Sequence, residues 1–289
     1  MENMSGKKVK ELQKELTEIF REKGFDSPEL ESTFILEEVL HLPGMEMIFR
    51  GEDELSSAQL SQALSFMERR VANEPFQYIF GWTPFRELDL TVGPGVLIPR
   101  PETEYILDHV LQHLPRNAKV CELGSGSGAI SLSLGKERQD LTIMGSEISE
   151  EAFRYSLLNL ERAKLTNVQF FRGDLFEPFP AGVCFDALIA NLPYIAEEEF
   201  DSLPPNVRDY EPATALLAED GGFALIGKTL RECGTYLSRE EAFLWLEMGE
   251  NHGERALECV RKYNFFQSAE LLPDQYGVKR FLFARRHKG

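Results

Sequence analysis

From residue 118 onward, short apolar runs recur at 118–123, 141–146, 167–172, 184–190, 242–248, 265–271 and 279–285, and helical patterns fill most of the gaps between the first five. Short apolar runs separated by helical periodicity require strand–helix–strand units, so this half of the chain is predicted to form a doubly wound, mostly parallel α/β sheet. Only Pro273 to Val278 separates the last two runs. That is too short for a parallel crossover, so the sheet is expected to end in an antiparallel pair.

Upstream, the period is helical from Lys7 to Ala72. Val9, Leu12, Leu16, Ile19 and Phe20 share one face; Asp26-Ser27-Pro28 marks a stop and restart; Phe34, Ile35, Val39 and Leu40 continue the apolar face. Ser56 or Ser57 is expected to cap a third helix bearing Leu60, Leu64, Phe66, Met67 and Val71, which completes a small helical bundle. Phe76-Gln77-Tyr78-Ile79-Phe80 and Leu88-Asp89-Leu90-Thr91-Val92 read as two strands of a hairpin. Pro99-Arg100-Pro101-Glu102-Thr103-Glu104 opens a helix, with proline early and acids in the first turn. The expected organisation is a helical domain at 1–73, a β-hairpin linker at 74–98 and an α/β domain at 99–289.

The chain carries a formal net charge of −17 over 289 residues, 43% of them hydrophobic. Such a charge repels phosphate backbones and argues against a nucleic-acid substrate, while favouring a cationic cofactor or a basic protein partner. Cys121, Cys184, Cys233 and Cys259 form no Cys-x-x-Cys or Cys/His cluster, so no metal site is expected. Cys121 and Cys184 lie in apolar runs and read as small core residues. Free thiols, a charged Met1–Lys14 stretch without an apolar leader, and no apolar run of membrane-spanning length point to a cytoplasmic protein with no membrane partner.

Four strand ends carry chemistry. Val120-Cys121-Glu122-Leu123 runs into Gly124-Ser125-Gly126-Ser127-Gly128 and then a helix, a strand–glycine turn–helix unit that lets backbone approach a ligand. The spacing is Gly-x-Gly-x-Gly rather than the dinucleotide fingerprint. Glu147 ends the next strand, about 20 residues on, where an acid commonly holds ribose hydroxyls. Asp174 follows the third strand and suits an adenine amino group, with Leu175 or Phe176 packing on the ring. The fourth strand ends on Asn191-Leu192-Pro193-Tyr194, which places an amide and an aromatic ring at the carboxyl edge of the sheet, where open α/β sheets bind ligands. Singly, each of these residues is equally well a turn former, a cap or a core residue. Their order on successive strands is what points to one site.

This order resembles class I methyltransferases that use S-adenosylmethionine and, more narrowly, release factor glutamine methyltransferases of the HemK/PrmC-like type. The resemblance includes Glu74-Pro75-Phe76-Gln77-Tyr78-Ile79-Phe80-Gly81, Val96-Leu97-Ile98 followed by Pro99–Glu104, and Val207-Arg208-Asp209-Tyr210-Glu211-Pro212 with Ala215-Leu216. It implies a Rossmann-like sheet ending in an antiparallel pair, with S-adenosylmethionine held by Gly124, Ser125, Gly126, Ser127, Gly128, Glu147, Asp174, Leu175 and Asn191. It also implies transfer to the side-chain amide of the glutamine in the Gly-Gly-Gln motif of peptide chain release factors, modulating translation termination, with Asn191, Leu192, Pro193 and Tyr194 as catalytic residues. The family usually reads Asn-Pro-Pro-Tyr; here Leu192 replaces the first proline but keeps the carbonyl. His252 stands where the family tends to have Gln and reads as structural or peripheral.

An amide nitrogen is a poor nucleophile, so such a site must hold it in line with the methyl group. Asn191 and the Leu192 carbonyl are expected to accept its two N–H groups, while Tyr194 packs on the amide plane. No dedicated base is evident beyond His252 and the acids of the glycine-loop strand. The alternatives are a nucleic-acid adenine amino-methyltransferase and a non-catalytic cofactor-binding paralogue. Adenine presents an equally flat amino group to such a turn, but its enzymes are expected to carry a basic face.

Overall fold

The computed structural model describes residues 6–42, 46 and 48–287, so the first five residues of the Met1–Lys14 stretch lie outside the described residues. The chain divides into two compact units, Met1–Phe80 and Gly81–Gly289.

In the first unit, α1 (Val9–Glu22) buries Val9, Leu12, Leu16 and Phe20 of the expected stripe, while Ile19 at its edge is only half-buried. It packs on α2 (Pro28–Leu40) and, through α2, on α3 (Ser57–Val71). Ser56 caps α3: its Oγ accepts the Gln59 N–H at 3.3 Å, and the Gln59 side chain accepts the Ser56 N–H at 3.0 Å. Phe34 departs from the expected apolar face. It is 44% exposed and meets Phe76 edge-on.

Phe76–Phe80 is α4, one helical turn rather than the predicted strand. Pro75 starts the turn, its carbonyl accepting the N–H groups of Tyr78 and Ile79. Phe76 and Phe80, four residues apart, stack at 5.1 Å, and the Arg69 guanidinium donates to the carbonyls of Tyr78 and Ile79 at 3.1 Å each. A proline start, an i,i+4 ring pair and a cation on the last carbonyls outweigh the strand propensity of these aromatics.

The second unit opens with the hairpin β1 (Trp82–Phe85) and β2 (Leu88–Thr91), so the turn is Arg86-Glu87. The hairpin is pinned at both ends. Glu104 accepts the Arg86 N–H at 2.6 Å, and the buried Asn159 side chain bonds both backbone groups of Thr91 and the carbonyl of Ser127.

The remaining elements are α5 (Pro101–His113), β3 (Lys119–Leu123), α6 (Ala129–Glu137), β4 (Thr142–Glu147), α7 (Glu150–Ala163), β5 (Val168–Arg172), β6 (Ala187–Asn191), α8 (Pro205–Arg208), α9 (Ala224–Tyr236), β7 (Ala242–Glu247), α10 (Gly253–Tyr263), β8 (Ser268–Pro273) and β9 (Lys279–Arg286). Strand order is β5-β4-β3-β6-β7-β9-β8, parallel except that β9 is antiparallel to both neighbours. The Rossmann-like class I sheet with its antiparallel end is therefore present. Each central strand feeds two cores by strict alternation. Leu188, Ala190, Leu244 and Leu246 join the core beneath α9 and α10, whereas Ala187, Ile189, Phe243 and Trp245 join the core beneath α5 and α6. Each fully buried leucine or phenylalanine contributes about 1.5–3 kcal/mol.

The docking of α5 is specific. The Trp245 indole donates to His109 Nδ1 at 2.9 Å, and burial pushes the His109 imidazole down to about 4, which leaves it neutral and able to accept. Cys121 is buried as expected, but Cys184 is exposed. The ladder with β3 starts at Ala187, while Phe185 makes an isolated bridge to Leu237 and turns inward, so the apolar run overstates the continuous strand.

Candidate active site

Chain order reverses between β3 and β6: β4 and β5 extend the sheet on one side, β7 on the other. Helices leave such neighbouring strands on opposite faces and open a crevice at their carboxyl ends. Leu123 and Asn191 end the two strands there. Gly124, with φ +70°, turns the chain, and a Cβ on it would lie 2.8 Å from Leu192 Cδ2. The glycine loop and the Asn191–Tyr194 segment thus pack directly together, and Leu192, 5% exposed, fills the junction.

A cavity of about 390 Å³ lies along this edge, within the range of small-molecule sites. Gly124, Gly126, Glu147, Asp174, Leu175, Asn191, Leu192 and Pro193 line it, as do Leu97, Ile148, Ala215 and Leu225. Ser125, Ser127 and Gly128 shape the loop without lining the cavity: Ser125 N–H bonds the Ser146 carbonyl, Gly128 N–H the Ser125 carbonyl, and the Ser127 carbonyl accepts from Asn159. Phe176 is turned away into the core, stacked on Tyr236 at 4.2 Å, so Leu175 rather than Phe176 faces the cavity.

The Glu147 carboxylate accepts the N–H groups of Gly126 and Ser149, each at 2.8 Å, and burial raises its pKa against those bonds. A carboxylate offers about four acceptor positions, so it retains capacity for two ligand hydroxyls. Asp174 pairs with Lys228 at 2.5 Å through one oxygen, and among the described residues the other has no hydrogen-bond partner. An acid placed for ribose, a second acid beside apolar walls and a glycine turn whose Gly126 has open space where a Cβ would stand fit a nucleoside with an extended polar tail.

A second cavity of about 220 Å³ is lined by Arg100, Tyr194, Ile195 and Val207, among others, and shares Leu97, Asn191, Leu192 and Ala215 with the first. Its wall is held by an ion pair. Arg100 meets Glu211 at 2.6 Å, and Glu211, buried, also accepts the Ile98 N–H at 3.1 Å. The Pro99–Glu104 and Val207–Pro212 stretches, far apart in the chain, are thereby joined. Asn191 donates from Nδ2 to Thr103 Oγ1 at 3.0 Å, Thr103 donates to Glu247 at 2.6 Å, and the Tyr194 hydroxyl lies 3.5 Å from the same carboxylate. Burial, then the neighbouring Glu247, raises the Tyr194 phenol and keeps it protonated.

His252 is bonded through Nε2 to the Gly221 carbonyl at 2.9 Å, which matches the structural reading. Glu122 is held inside the sheet by the Ser131 N–H at 3.0 Å, with burial raising its carboxyl to about 8. Neither lines the two cavities. Sequence reasoning missed Thr103, Glu247, Ile148, Leu97 and Lys228 as site residues. Thr103 and Leu97 lay within stretches noted for their resemblance, but nothing local marks Glu247 or Lys228.

Tyr194 is also fixed from behind. Gly222 has φ +84°, and a Cβ there would stand 2.1 Å from the Tyr194 carbonyl oxygen. Gly222→Ala is expected to cost about 2 kcal/mol or more, from strain and overpacking. A urea midpoint equal to that of the wild type would contradict this close approach.

A family model described as the PrmC N-terminal domain matches residues 11–81, and one described as a methyltransferase domain matches residues 114–240. The release factor glutamine methyltransferase of Thermodesulfovibrio yellowstonii is 33% identical over 245 residues, 83% of this chain and 87% of that protein. Its counterpart in Coxiella burnetii is 30% identical over 262 residues, 90% of this chain and 92% of that protein. Among solved structures, a methyltransferase from Pyrococcus furiosus shares the fold, with TM-score 0.51 at 18% identity over 80% of this chain and 100% of that one. Relatives matched over most of their length, together with a glycine loop, two acids and a strand-end Asn gathered around one cavity, show that the chain belongs to the release factor glutamine methyltransferase family of S-adenosylmethionine-dependent enzymes.

Proposed function

We propose that this enzyme methylates the side-chain amide nitrogen of the glutamine in the Gly-Gly-Gln motif of peptide chain release factors. The observation that carries the reading is the position of Asn191, which lines both cavities and so stands between a nucleoside-sized site and an acceptor-sized one. Glu147 would hold the ribose hydroxyls of S-adenosylmethionine, Asp174, Leu175 and Ile148 its adenine, and the backbone at Gly124 and Gly126 its amino-acid end. The cofactor, when bound, supplies an electrophilic methyl group whose leaving group is a neutral thioether.

The chain's own residues do the rest by placement. Asn191 Oδ1 accepts one amide N–H of the acceptor, the Leu192 carbonyl the other, and Pro193 and Tyr194 close the site against water. Leu192 loses the rigidity of proline, but its buried side chain against Gly124 restrains the turn instead. The helical first unit is assigned to gripping the protein substrate, in keeping with its match to the PrmC N-terminal domain. A substrate that acts in translation termination places the enzyme in the cytoplasm, and the net charge of −17 disfavours nucleic acid as a direct substrate.

The test is transfer of label from methyl-labelled cofactor to intact release factor, to release factor with that glutamine replaced by alanine, to an unrelated protein and to DNA. Label is expected in the first alone. Labelled DNA would establish the adenine alternative, and no transfer to any substrate would establish a non-catalytic chain.

A further inference from the structure

Asn191 can help an acceptor amide only if its oxygen, not its nitrogen, faces that amide. Nothing in an asparagine by itself decides which end points where, since the two ends have nearly the same shape. The decision is made two residues away. Thr103 is 4% exposed and Glu247 5% exposed, and Thr103 Oγ1 lies 2.6 Å from Glu247 Oε2 and 3.0 Å from Asn191 Nδ2. A hydroxyl has one proton. An ionised Glu247 can only accept, so it takes that proton, and Thr103 is left with lone pairs toward Asn191. Asn191 must answer with its N–H group, which leaves Oδ1 for the cavities that Asn191 lines.

We propose that Thr103 and Glu247 are positioning residues that set which end of the Asn191 amide meets the acceptor. The proposal rests on the acceptor role given to Asn191 above. It also gives a task to the threonine of the Pro99–Glu104 stretch and to an acid buried at the end of β7.

The polarity of the chain is reversible by one proton. A protonated Glu247 donates to Thr103, Thr103 then donates to Asn191, and the amide turns its N–H end to the acceptor. The groups facing Glu247 are Thr103 and Glu102 from α5, Tyr194 from the turn after β6 and Arg280 from β9. Burial dominates and, with Glu102, outweighs Thr103, Arg280 and Tyr194, raising the carboxyl to about 7. Turnover is therefore expected to fall as pH drops through about 7, the direction in which the carboxylate is lost.

The experiment compares Thr103→Val, Thr103→Ser and Glu247→Gln with the wild-type chain on intact release factor, measuring kcat, KM, their pH profiles and cofactor affinity by calorimetry. Thr103→Val is expected to lower kcat about 10-fold, the worth of one oriented hydrogen bond, with cofactor affinity unchanged. Thr103→Ser restores the hydroxyl and is expected within threefold of wild type. Glu247→Gln presents either amide end to Thr103, so kcat falls and the acidic limb disappears. Should Thr103→Val fail to bind cofactor or to fold, the serine and glutamine variants decide the matter through the rescue and the lost limb. Full turnover in Thr103→Val, equal losses in Val and Ser, or an unchanged limb in Glu247→Gln overturns the proposal alone. A wild-type chain that transfers nothing to release factor removes the underlying reading, and this proposal with it.

Discussion

Asn191→Ala is expected to lower kcat on release factor by about 100- to 1,000-fold, the range seen when one preorganised group at a reacting centre is removed. The side chain lines both cavities and is tethered through Nδ2 to Thr103 at 3.0 Å. Truncation removes an acceptor aimed at the substrate nitrogen and leaves a gap where that nitrogen must be held in register. Cofactor affinity is expected to change only a few-fold, because Glu147 ends β4, Asp174 follows β5, and both keep their own partners. Single-turnover transfer from labelled cofactor, with calorimetric titration of S-adenosylhomocysteine, separates the two effects. Near-normal turnover would exclude Asn191 from the chemistry.

Glu147→Ala should show the opposite signature. Two hydrogen bonds from ligand hydroxyls to a carboxylate are together worth about 3 kcal/mol or more, so affinity for S-adenosylhomocysteine is expected to drop at least about 100-fold. The same oxygens accept the N–H groups of Gly126 and Ser149, so the substitution also frees the glycine loop and the start of α7. Glu147→Gln keeps the shape but exchanges one acceptor for a donor, and a smaller loss is expected. At saturating cofactor, kcat should recover much of its value in both variants. An unchanged dissociation constant for the alanine variant would show that the acid serves only to brace the loop.

Much of this architecture was legible in residue order because burial on both faces of a parallel sheet demands continuous apolar runs. Ala187–Asn191 and Ala242–Glu247 are such runs, and their alternate side chains enter the two cores. The glycine turn was legible for a similar reason: a chain that must bend sharply between strand and helix shows it locally. Where the reading failed, a local pattern was overruled by a neighbour. Phe76–Phe80 has the composition of a strand, yet Arg69 and Pro75 make it a helical turn. Phe176 and Leu175 were equivalent candidates until Tyr236, on α9, claimed the phenylalanine ring.

The sequence by itself determined the strand–helix alternation, the antiparallel end of the sheet, and the order of glycine loop, Glu147, Asp174 and Asn191 along successive strands. These follow from periodicities of two and 3.6 residues and from the short reach of turns. Only the tertiary structure decided that Leu192 packs on Gly124, that Arg100 closes on Glu211, and that Thr103, Asn191 and Glu247 form one hydrogen-bonded chain. Residues 88 and 144 positions apart have no local pattern to announce them. They meet because the chain reverses its strand order beside β3 and because α5 docks across Trp245, and that meeting orients the amide on which the reaction depends.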